Sequence, residues 1–197
     1  MKSKLQFKPF IIKIFIISFG LFLNGIGLSL MYGTELGSSP MGTFSDGLHN
    51  LLPISQGNAN ILANAIFLIV LVFFAREFIG IGTIVCTFTL GLYVNLASFV
   101  ITPLALQNLS MGYRILISST GTLLMGIGLG IYVSIDYGLG PLEAIVAIIC
   151  QRFNLKYRIA KISFDSLLMV AGLLLGGKVG VGTIISTFCT GIIMAPV

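Results

Sequence analysis

Two glycine-rich strings in this chain each run into a proline, and they decide its fold. The first, "GIGLSLMYGTELGSSP", covers residues 25–40, and the second, "GIGLGIYVSIDYGLGP", covers residues 126–141. Each begins as an apolar helix and loses that pattern at a carboxylate, Glu35 in the first and Asp136 in the second. Proline has no amide proton, and its fixed torsion suits the first turn of a helix. Each string therefore predicts a long helix, a break and a new short helix.

The composition indicates a polytopic membrane protein. Of the 197 residues, 56% are hydrophobic and only 9% are charged, with a mean hydropathy of +1.07. Soluble domains carry about 25% charged residues. Several apolar runs of about 18 to 25 residues are each long enough to cross ~30 Å of hydrocarbon. We therefore expect the lipid bilayer to surround this chain.

The net charge of +5 does not indicate a nucleic-acid partner. The basic residues cluster at the amino terminus and in short loops, as membrane orientation requires. The first apolar run, residues 10–32, is longer than the core of a signal peptide and has no small-residue cleavage site. We expect a retained first helix, a multi-pass protein and a cytoplasmic amino terminus.

Beyond the two opening strings, a second pair of segments supports an internal repeat. Residues 79–91, "IGIGTIVCTFTLG", and residues 179–191, "VGVGTIISTFCTG", are identical at seven of thirteen positions. Repetition at a fixed spacing is typical of a duplicated structural unit. We predict repeats over residues 20–104 and 119–197 of a single membrane domain. Residues 1–19 form a basic amino-terminal segment that includes the start of the first span, and residues 105–118 form a linker.

The predicted fold class is all-α, a polytopic membrane helix bundle with two repeats of about 100 residues. Each repeat has three long helices and one short helix. The long helices are expected at about 10–32, 58–75, 79–104, 113–134, 160–176 and 180–197, and the short ones at about 41–52 and 141–152.

The orientation of the repeats depends on whether the short segments span the membrane. If they do not span, each repeat has three spans and the copies are inverted; if they span, the copies are parallel. Either arrangement places nine basic residues on the cytoplasmic side and two outside, so charge does not decide between them. The first short segment has barely a dozen residues and contains Asp46, His49 and Asn50, which favours a re-entrant or interfacial helix and inverted repeats.

The candidate site follows from the two breaks. Broken helices in inverted-repeat transporters point helix ends at a substrate or ion, and we expect the two breaks to meet near the axis between the repeats. The alternative is that the carboxylates mark the water interface and cap nearby amides. The candidate substrate- or ion-binding residues are Glu35, Asp136, Glu143, Pro40, Pro141, Gly37, Gly138, Thr83 and Thr183.

Two further polar residues lie inside predicted spans. Asp165 lies about five residues into its helix, and its counterpart in the first repeat is Asn64. A carboxylate costs about 2.5 to 3.5 kcal/mol in a membrane helix, so a local ion pair with Lys161, one helical turn away, is the simpler account. Asn24 and Asn95 are expected to join helices by hydrogen bonds.

The remaining patterns indicate packing and no enzyme chemistry. The three cysteines have no metal-binding or redox spacing, and a single histidine provides no metal site. The glycine clusters lie within or beside apolar spans, where they allow close helix approach. We expect no cofactor, no metal and no catalytic residues.

The glycine-rich helices ending in G-x-x-P, as "LGSSP" and "YGLGP", precede the segments "GIGTIVCTFTLG" and "VGVGTIISTFCTG" by two spans. This arrangement resembles the YczE/YitT-type family of bacterial integral membrane proteins, over nearly the whole chain. The resemblance implies a bacterial plasma membrane and a helical fold, but no substrate. In that family the second copy reads G-x-G-P followed by a charged residue, which "GLGPLEA" and Glu143 match. The first copy departs, with serine at 38 and 39 and glycine at 42.

Two functions are therefore compatible with the sequence. The first is a small transporter or permease-like protein with a central site for a small solute or cation, in which one repeat rocks against the other. The second is a non-transporting partner or accessory protein of another membrane complex, or a homodimer. Its contact surface would be the basic and aromatic loop "QRFNLKYRIAK" at residues 151–161, which also suits anionic headgroups.

Overall fold

Every regular element that the structure describes is helical. The computed structural model describes the backbone of residues 2–193 and the side chains of residues 10–187. Short 3₁₀ turns flank α4. The α-helices are α1 Lys2–Thr34, α2 Pro40–Leu51, α3 Gln56–Phe74, α4 Ile81–Ile101, α5 Met111–Val133, α6 Pro141–Phe153, α7 Tyr157–Leu174 and α8 Val181–Ile193.

Four of these helices, α1, α3, α4 and α5, are long and apolar enough to cross a membrane. Six spans are predicted from the sequence. Helix α7 has spanning length but carries Arg158, Lys161 and Asp165, and the described part of α8 is 13 residues long. Residues 194–197, the end of the last predicted span, lie outside the described residues. The spanning role of α7 and α8 stays a prediction.

The outer surface of the bundle is apolar. Phe73, Phe99 and Leu174 are 75%, 81% and 83% exposed, respectively. Isolated exposed apolar residues are ordinary on soluble proteins, but a surface covered by them indicates contact with another apolar phase. Lipid chains therefore surround these helices.

Helices α1 and α5 cross at a contact made of glycines. A Cβ atom added to Gly20 would lie 2.7 Å from the Gly128 carbonyl oxygen, and one added to Gly27 would lie 2.4 Å from that of Gly121. The contacts are reciprocal. A Cβ atom added to Gly128 would lie 2.4 Å from the Gly20 carbonyl oxygen, and one added to Gly121 would lie 2.7 Å from that of Gly27. Along these contacts the residue numbers increase in α1 while they decrease in α5, so the two helices are antiparallel. The expectation that small residues allow close helix approach is confirmed.

The two helix breaks have the same backbone geometry. Glu35 and Asp136 take left-handed conformations, with φ of 54° and 50°. Gly37 and Gly138 follow with φ of 87° and 115°, a region that favours glycine. The chain then enters α2 and α6, each with a proline in the first turn as the sequence predicts.

Each break is held by the start of a helix from the other half of the chain. The Gly182 amide, at the start of α8, donates to the Leu36 carbonyl at 2.9 Å. The Gly82 amide, at the start of α4, donates to the Tyr137 carbonyl at the same distance. The halves are therefore interlocked by backbone hydrogen bonds at two places.

The two breaks lie at opposite ends of the α1–α5 pair. The Arg114 guanidinium, near the start of α5, donates to the Thr34 carbonyl at 2.6 and 2.9 Å. The Lys13 ammonium lies 5.0 Å from the centre of the Tyr137 ring. Because positions 13 and 34 of one helix are about 30 Å apart, the carboxylates of the two breaks do not meet, and that part of the expectation is wrong. We name these the Glu35 end and the Asp136 end.

Helix α2 starts inside the bundle and runs back to the Glu35 end, where α1 also ends. Pro40 shares a cavity with Asn24, well inside α1. At the far end of α2, the Asn50 side-chain amide donates to the Gly176 carbonyl at 2.8 Å, close to the Glu35 end. Helix α6 likewise has its first turn at this cavity, through Glu143. Both short helices thus place their amino-terminal turns in the interior.

The glycine crossing predicts a sharp difference between two alanine substitutions. Gly27→Ala puts a methyl group against the Gly121 backbone, so we expect a loss of about 1–3 kcal/mol from overpacking. Gly130→Ala, also on this helix pair, has nothing within 4 Å of its Cβ and should be neutral or stabilise by up to about 1 kcal/mol. Thermal unfolding of both variants in detergent measures the difference. Equal unfolding temperatures would contradict the close crossing.

Candidate functional site

A small cavity of about 80 Å³ lies at the centre of the described helices. Its wall combines apolar side chains from α1, α4 and α5 with polar ones from α1, α3, α6 and α7. The polar residues are Asn24, Asn60, Asn64, Glu143, Lys161 and Asp165, together with Ser39 just before α2. Polar and ionisable groups at this depth are costly and mark functional sites in membrane proteins.

An ion pair forms the α7 side of the cavity. The Lys161 ammonium lies 2.6 Å from the Asp165 carboxylate, one helical turn away. The two side chains are only 13% and 6% exposed. The predicted local ion pair is therefore confirmed. Because each charge compensates the other, this side of the cavity carries no net charge.

Glu143 faces the cavity from the first turn of α6. A carboxylate there suits the positive end of the helix dipole. It lies over Gly140, where an added Cβ would come within 2.2 Å of its Oε2, so the glycine leaves room for this carboxylate. Among residues 10–187 no ion pair is formed by Glu143. With all groups ionised, the cavity therefore carries one excess negative charge.

The α3 side of the cavity carries amides. The Asn64 Nδ2 donates to the Asn60 Oδ1 and to the Asn60 carbonyl, both at 2.9 Å. The Asn60 side chain also hydrogen-bonds the Tyr32 hydroxyl, whereas within the described part of the chain the Asn24 Oδ1 has no hydrogen-bond partner. Asn60 and Asn24 are 1% and 6% exposed. Buried polar atoms are normally paired, so the Asn24 Oδ1 is the cavity atom that needs a partner.

The amide pair and the ion pair occupy corresponding positions. Lys161 and Asp165 each follow Asn60 and Asn64 by 101 positions (161 − 60 and 165 − 64), the same offset that relates the opening strings (126 − 25). Both pairs have the spacing of one helical turn, and both line the same cavity. One half thus contributes a neutral pair and the other a charged pair.

A larger vestibule of about 720 Å³ opens at the Glu35 end, between α1, α3 and α4. A recess of about 130 Å³ beside it contains Asp46 and Lys178. Tyr32 lines both spaces and is 9% exposed. Its hydroxyl donates to the Gly42 carbonyl at 3.2 Å, next to Met41, which lines the central cavity. Tyr32 therefore stands between the vestibule and the cavity.

The predicted site residues divide into two groups. Pro40, Glu143, Asn64 and Asp165 line the central cavity, and Pro141 begins the helix that carries Glu143. The remaining predicted residues lie away from this cavity, at the two ends: Glu35, Gly37, Asp136, Gly138, Thr83 and Thr183.

The carboxylates at the breaks are surface groups. Glu35 pairs with Lys178 at 2.9 Å, with side chains 47% and 53% exposed. Asp136 is exposed. Both positions fit the simpler interpretation, in which the carboxylates mark the water interface.

Thr83 and Thr183 secure the starts of α4 and α8. The Thr83 hydroxyl accepts from the Gly80 amide at 3.0 Å and donates to the Leu139 carbonyl at 2.6 Å. The Thr183 hydroxyl accepts from the Gly180 amide at 3.4 Å. Both residues are buried, and Thr83 also bonds the second break through Leu139.

Sequence reasoning missed Asn60 and treated Asn24 and Lys161 only as packing or pairing residues. The signal for Asn60 was available, because residues 60 and 64 repeat at 161 and 165 with the same helical spacing. Asn95 does join helices as expected: it accepts from the Gly57 amide and donates to Asn58. Asn24 shows no such bond from its Oδ1 among the described residues.

Comparisons with known proteins give a family and no activity. A family model described as a family of unknown function (DUF6198) matches residues 11–196. An uncharacterized membrane protein of Bacillus subtilis, YczE, is 27% identical over 89% of this chain and 80% of its own length. An uncharacterized protein of Haemophilus influenzae is 28% identical over 86% and 76%. No solved structure matches the chain. The resemblance to YczE is confirmed.

The buried ion pair of α7 predicts that its counterpart from the first half, the asparagine pair of α3, can replace it. Lys161→Met leaves the Asp165 carboxylate buried without its partner, which should cost about 3 kcal/mol. Lys161→Asn combined with Asp165→Asn copies the hydrogen-bonded pair of α3 and should restore most of that stability. Unfolding in mixed micelles measures both variants.

The exposed Glu35–Lys178 pair provides the control for this experiment. Lys178→Met also removes a single ion pair, but one at the surface. The expected loss in unfolding free energy there is at most about 1 kcal/mol. Equal losses in Lys161→Met and Lys178→Met, or no recovery in the double asparagine variant, would contradict the assigned environment of the cavity pair.

Proposed function

The chain belongs to a family of unknown function (DUF6198), and we propose that it is a small permease whose solute site is the central cavity. The main support is that this cavity contains polar groups that internal packing leaves unpaired. Glu143 forms no direct ion pair within the described residues, and the Asn24 side chain has a buried oxygen without a hydrogen-bond partner there. A solute that supplies those partners is the simplest reason for such an arrangement.

We further propose that the two halves are inverted repeats. The first half has its helices in the order long, short, long, long, and the second half begins in the same order with α5, α6 and α7. The reciprocal glycine crossing supports this, because the offset of 101 relates Gly20 to Gly121 and Gly27 to Gly128, so the contact between α1 and α5 maps onto itself. The antiparallel course of these helices is what inversion requires.

The distribution of basic residues supports an orientation. Arg114 and Lys178 lie at the Glu35 end. Lys13 lies at the Asp136 end, and Arg76, beside the start of α4, belongs to that end as well. The loop after α6 adds further basic residues there. By the positive-inside rule, the Asp136 end faces the cytoplasm of a bacterial cell, as does the amino terminus.

The proposed cycle moves one half against the other around the cavity. In the present arrangement the Tyr32 hydroxyl, bonded to Gly42, separates the cavity from the vestibule at the Glu35 end. Release of this contact, together with the bonds from α8 to the first break, opens the cavity to the vestibule. Closure there and opening of the Asp136 end completes alternating access.

A second function is favoured by one observation. Residues 151–156, between α6 and α7, are all exposed, and Phe153 is 68% exposed beside Arg152. An exposed aromatic residue flanked by basic ones suits a protein partner or an anionic headgroup. A non-transporting accessory protein would use this loop and leave the central cavity closed.

Cys86 is a natural reporter that distinguishes the two functions. It lines the cavity and is 6% exposed. With Cys150→Ala and Cys189→Ala in place, we expect small charged methanethiosulfonate reagents to modify Cys86 in the folded protein, from at least one membrane face. The modification should be slow compared with an exposed thiol, because the cavity must open first.

The matched control keeps Cys150 as the single cysteine, with Cys86→Ala and Cys189→Ala. Cys150 is only half-buried, so it should be modified faster and without a dependence on conformational opening. Modification of Cys86 only after denaturation would contradict a permease and favour the accessory function.

A further inference from the structure

Two buried tyrosines lie on opposite sides of the central cavity. Helix α1 lines the cavity with Leu28, and Tyr32 follows one helical turn later, towards the Glu35 end. Helix α5 lines it with Leu129, and Tyr132 follows about one turn later, towards the Asp136 end. Tyr32 is 9% exposed and Tyr132 is 1% exposed. Because α1 and α5 are antiparallel, the cavity has one tyrosine towards each end.

Each tyrosine hydroxyl bonds a backbone carbonyl in or just after the break that follows its own helix. The Tyr32 hydroxyl donates to the Gly42 carbonyl at 3.2 Å, in the first turn of α2. The Tyr132 hydroxyl donates to the Gly138 carbonyl at 2.9 Å, within the second break. Each bond thus joins the long first helix of one half to the segment beyond its break. These elements cannot separate unless the bond is released.

The Tyr32 contact is connected to the cavity wall through Asn60. The Asn60 side chain lines the cavity and hydrogen-bonds the Tyr32 hydroxyl. Its Oδ1 accepts from the Asn64 Nδ2 at 2.9 Å, and Asn64 lines the cavity as well. A chain of hydrogen bonds therefore runs from the cavity wall through Tyr32 to α2.

The Tyr132 contact is packed against apolar side chains of the cavity wall. Its ring belongs to the core cluster that includes Leu21, Cys86 and Met125, all of which line the cavity. Its partner Gly138 lies against the start of α4, where a Cβ added to Gly138 would be 2.7 Å from the Gly80 Cα. Tyr132 therefore stands between the cavity and the Asp136 end, as Tyr32 stands between the cavity and the vestibule.

Resting on the proposed function, we infer that Tyr132 is the gate at the Asp136 end and that Tyr32, held by Asn60, is the gate at the Glu35 end. Each gate is closed by its hydroxyl bond to the backbone, and water replaces that bond when the gate opens. Both bonds are made in the present arrangement, so both gates are closed. Loss of one bond favours the opening of that gate alone.

Substitution of each tyrosine by phenylalanine tests the two gates, because it removes the hydroxyl and keeps the ring. The protein with Cys86 as its single cysteine is treated with a charged, membrane-impermeant methanethiosulfonate reagent, in spheroplasts and in inverted membrane vesicles. Tyr32→Phe should raise the rate of Cys86 modification about five- to tenfold from the face at the Glu35 end, the effect of one hydrogen bond. Tyr132→Phe should raise it by a similar factor from the opposite face. Asn60→Ala should resemble Tyr32→Phe.

Two matched controls remove the same groups away from the cavity. Tyr93→Phe deletes a hydroxyl that bonds Ser18 between α1 and α4, and Tyr93 does not line the cavity. Asn58→Ala shortens a side chain that bonds Asn95, on the same helix as Asn60. Both controls should keep the parent rates from both faces. Thermal unfolding of every variant in detergent verifies that the protein is folded.

The outcomes separate the gates from the permease itself. If Tyr132→Phe raises the rate from both faces or from neither, or accelerates the same face as Tyr32→Phe, the gate assignment is overturned. An equal acceleration in Tyr93→Phe overturns it too, because any lost hydroxyl then loosens the bundle. In each of these cases the permease proposal stands as long as Cys86 is modified in the folded parent protein. If Cys86 is never modified in the folded parent or variants, the permease proposal fails and the gates fail with it.

Discussion

The close approach of α1 and α5 is the contact on which the rest of the structure depends. With a Cβ at Gly27 the two backbones would collide, because the Gly121 carbonyl lies 2.4 Å from that position. A hydrophobic driving force between helices is weak in lipid, so close van der Waals packing takes its place. This crossing fixes the antiparallel course of the two helices. It thereby sends the two breaks to opposite ends and leaves the central space between the halves to be lined from both.

Under the proposed duplication, the two halves share their architecture but differ in their chemistry. On α3 the pair at the cavity consists of two asparagines that bond each other, and on α7 the corresponding pair is an ion pair. The first turns of the short helices differ in the same way, since Gly42 of α2 corresponds to Glu143 of α6. The cavity is therefore lined by amides on one side and by charged groups on the other, and under the permease proposal these two sides would contact different ends of a solute.

Sequence patterns within one or two helical turns predicted the helices well. The same patterns did not predict which distant parts of the chain lie close together. The prolines at 40 and 141, the glycines that follow the carboxylates, and the ion pair between Lys161 and Asp165 were all readable from short windows of sequence. These features depend on backbone torsions or on one helical turn. The number of spans was less accessible, because α7 carries three charges that hydropathy alone penalises.

The site was only half predictable for a different reason. Glu35 and Asp136 are conspicuous because they interrupt apolar strings, yet they lie at the water interface. Asn24 and Asn60 are inconspicuous because asparagine in a membrane helix usually bonds a neighbouring helix. Only the three-dimensional structure shows that the Asn24 Oδ1 lacks such a bond among the described residues and that Asn60 faces the cavity. Absence of a partner is a property of the packed fold and has no signature in a sequence.

The reciprocity of the glycine crossing has a consequence for how such a chain can arise. Under the proposed duplication, Gly20 and Gly27 of one copy meet the equivalents of Gly27 and Gly20 in the other, so the surface of α1 is complementary to itself. Self-complementary surfaces are those of two-fold dimers. A half-length ancestor inserted in both orientations would already pair through this surface. Fusion of two such copies would then remove the need for dual insertion and free each half to acquire its own charges.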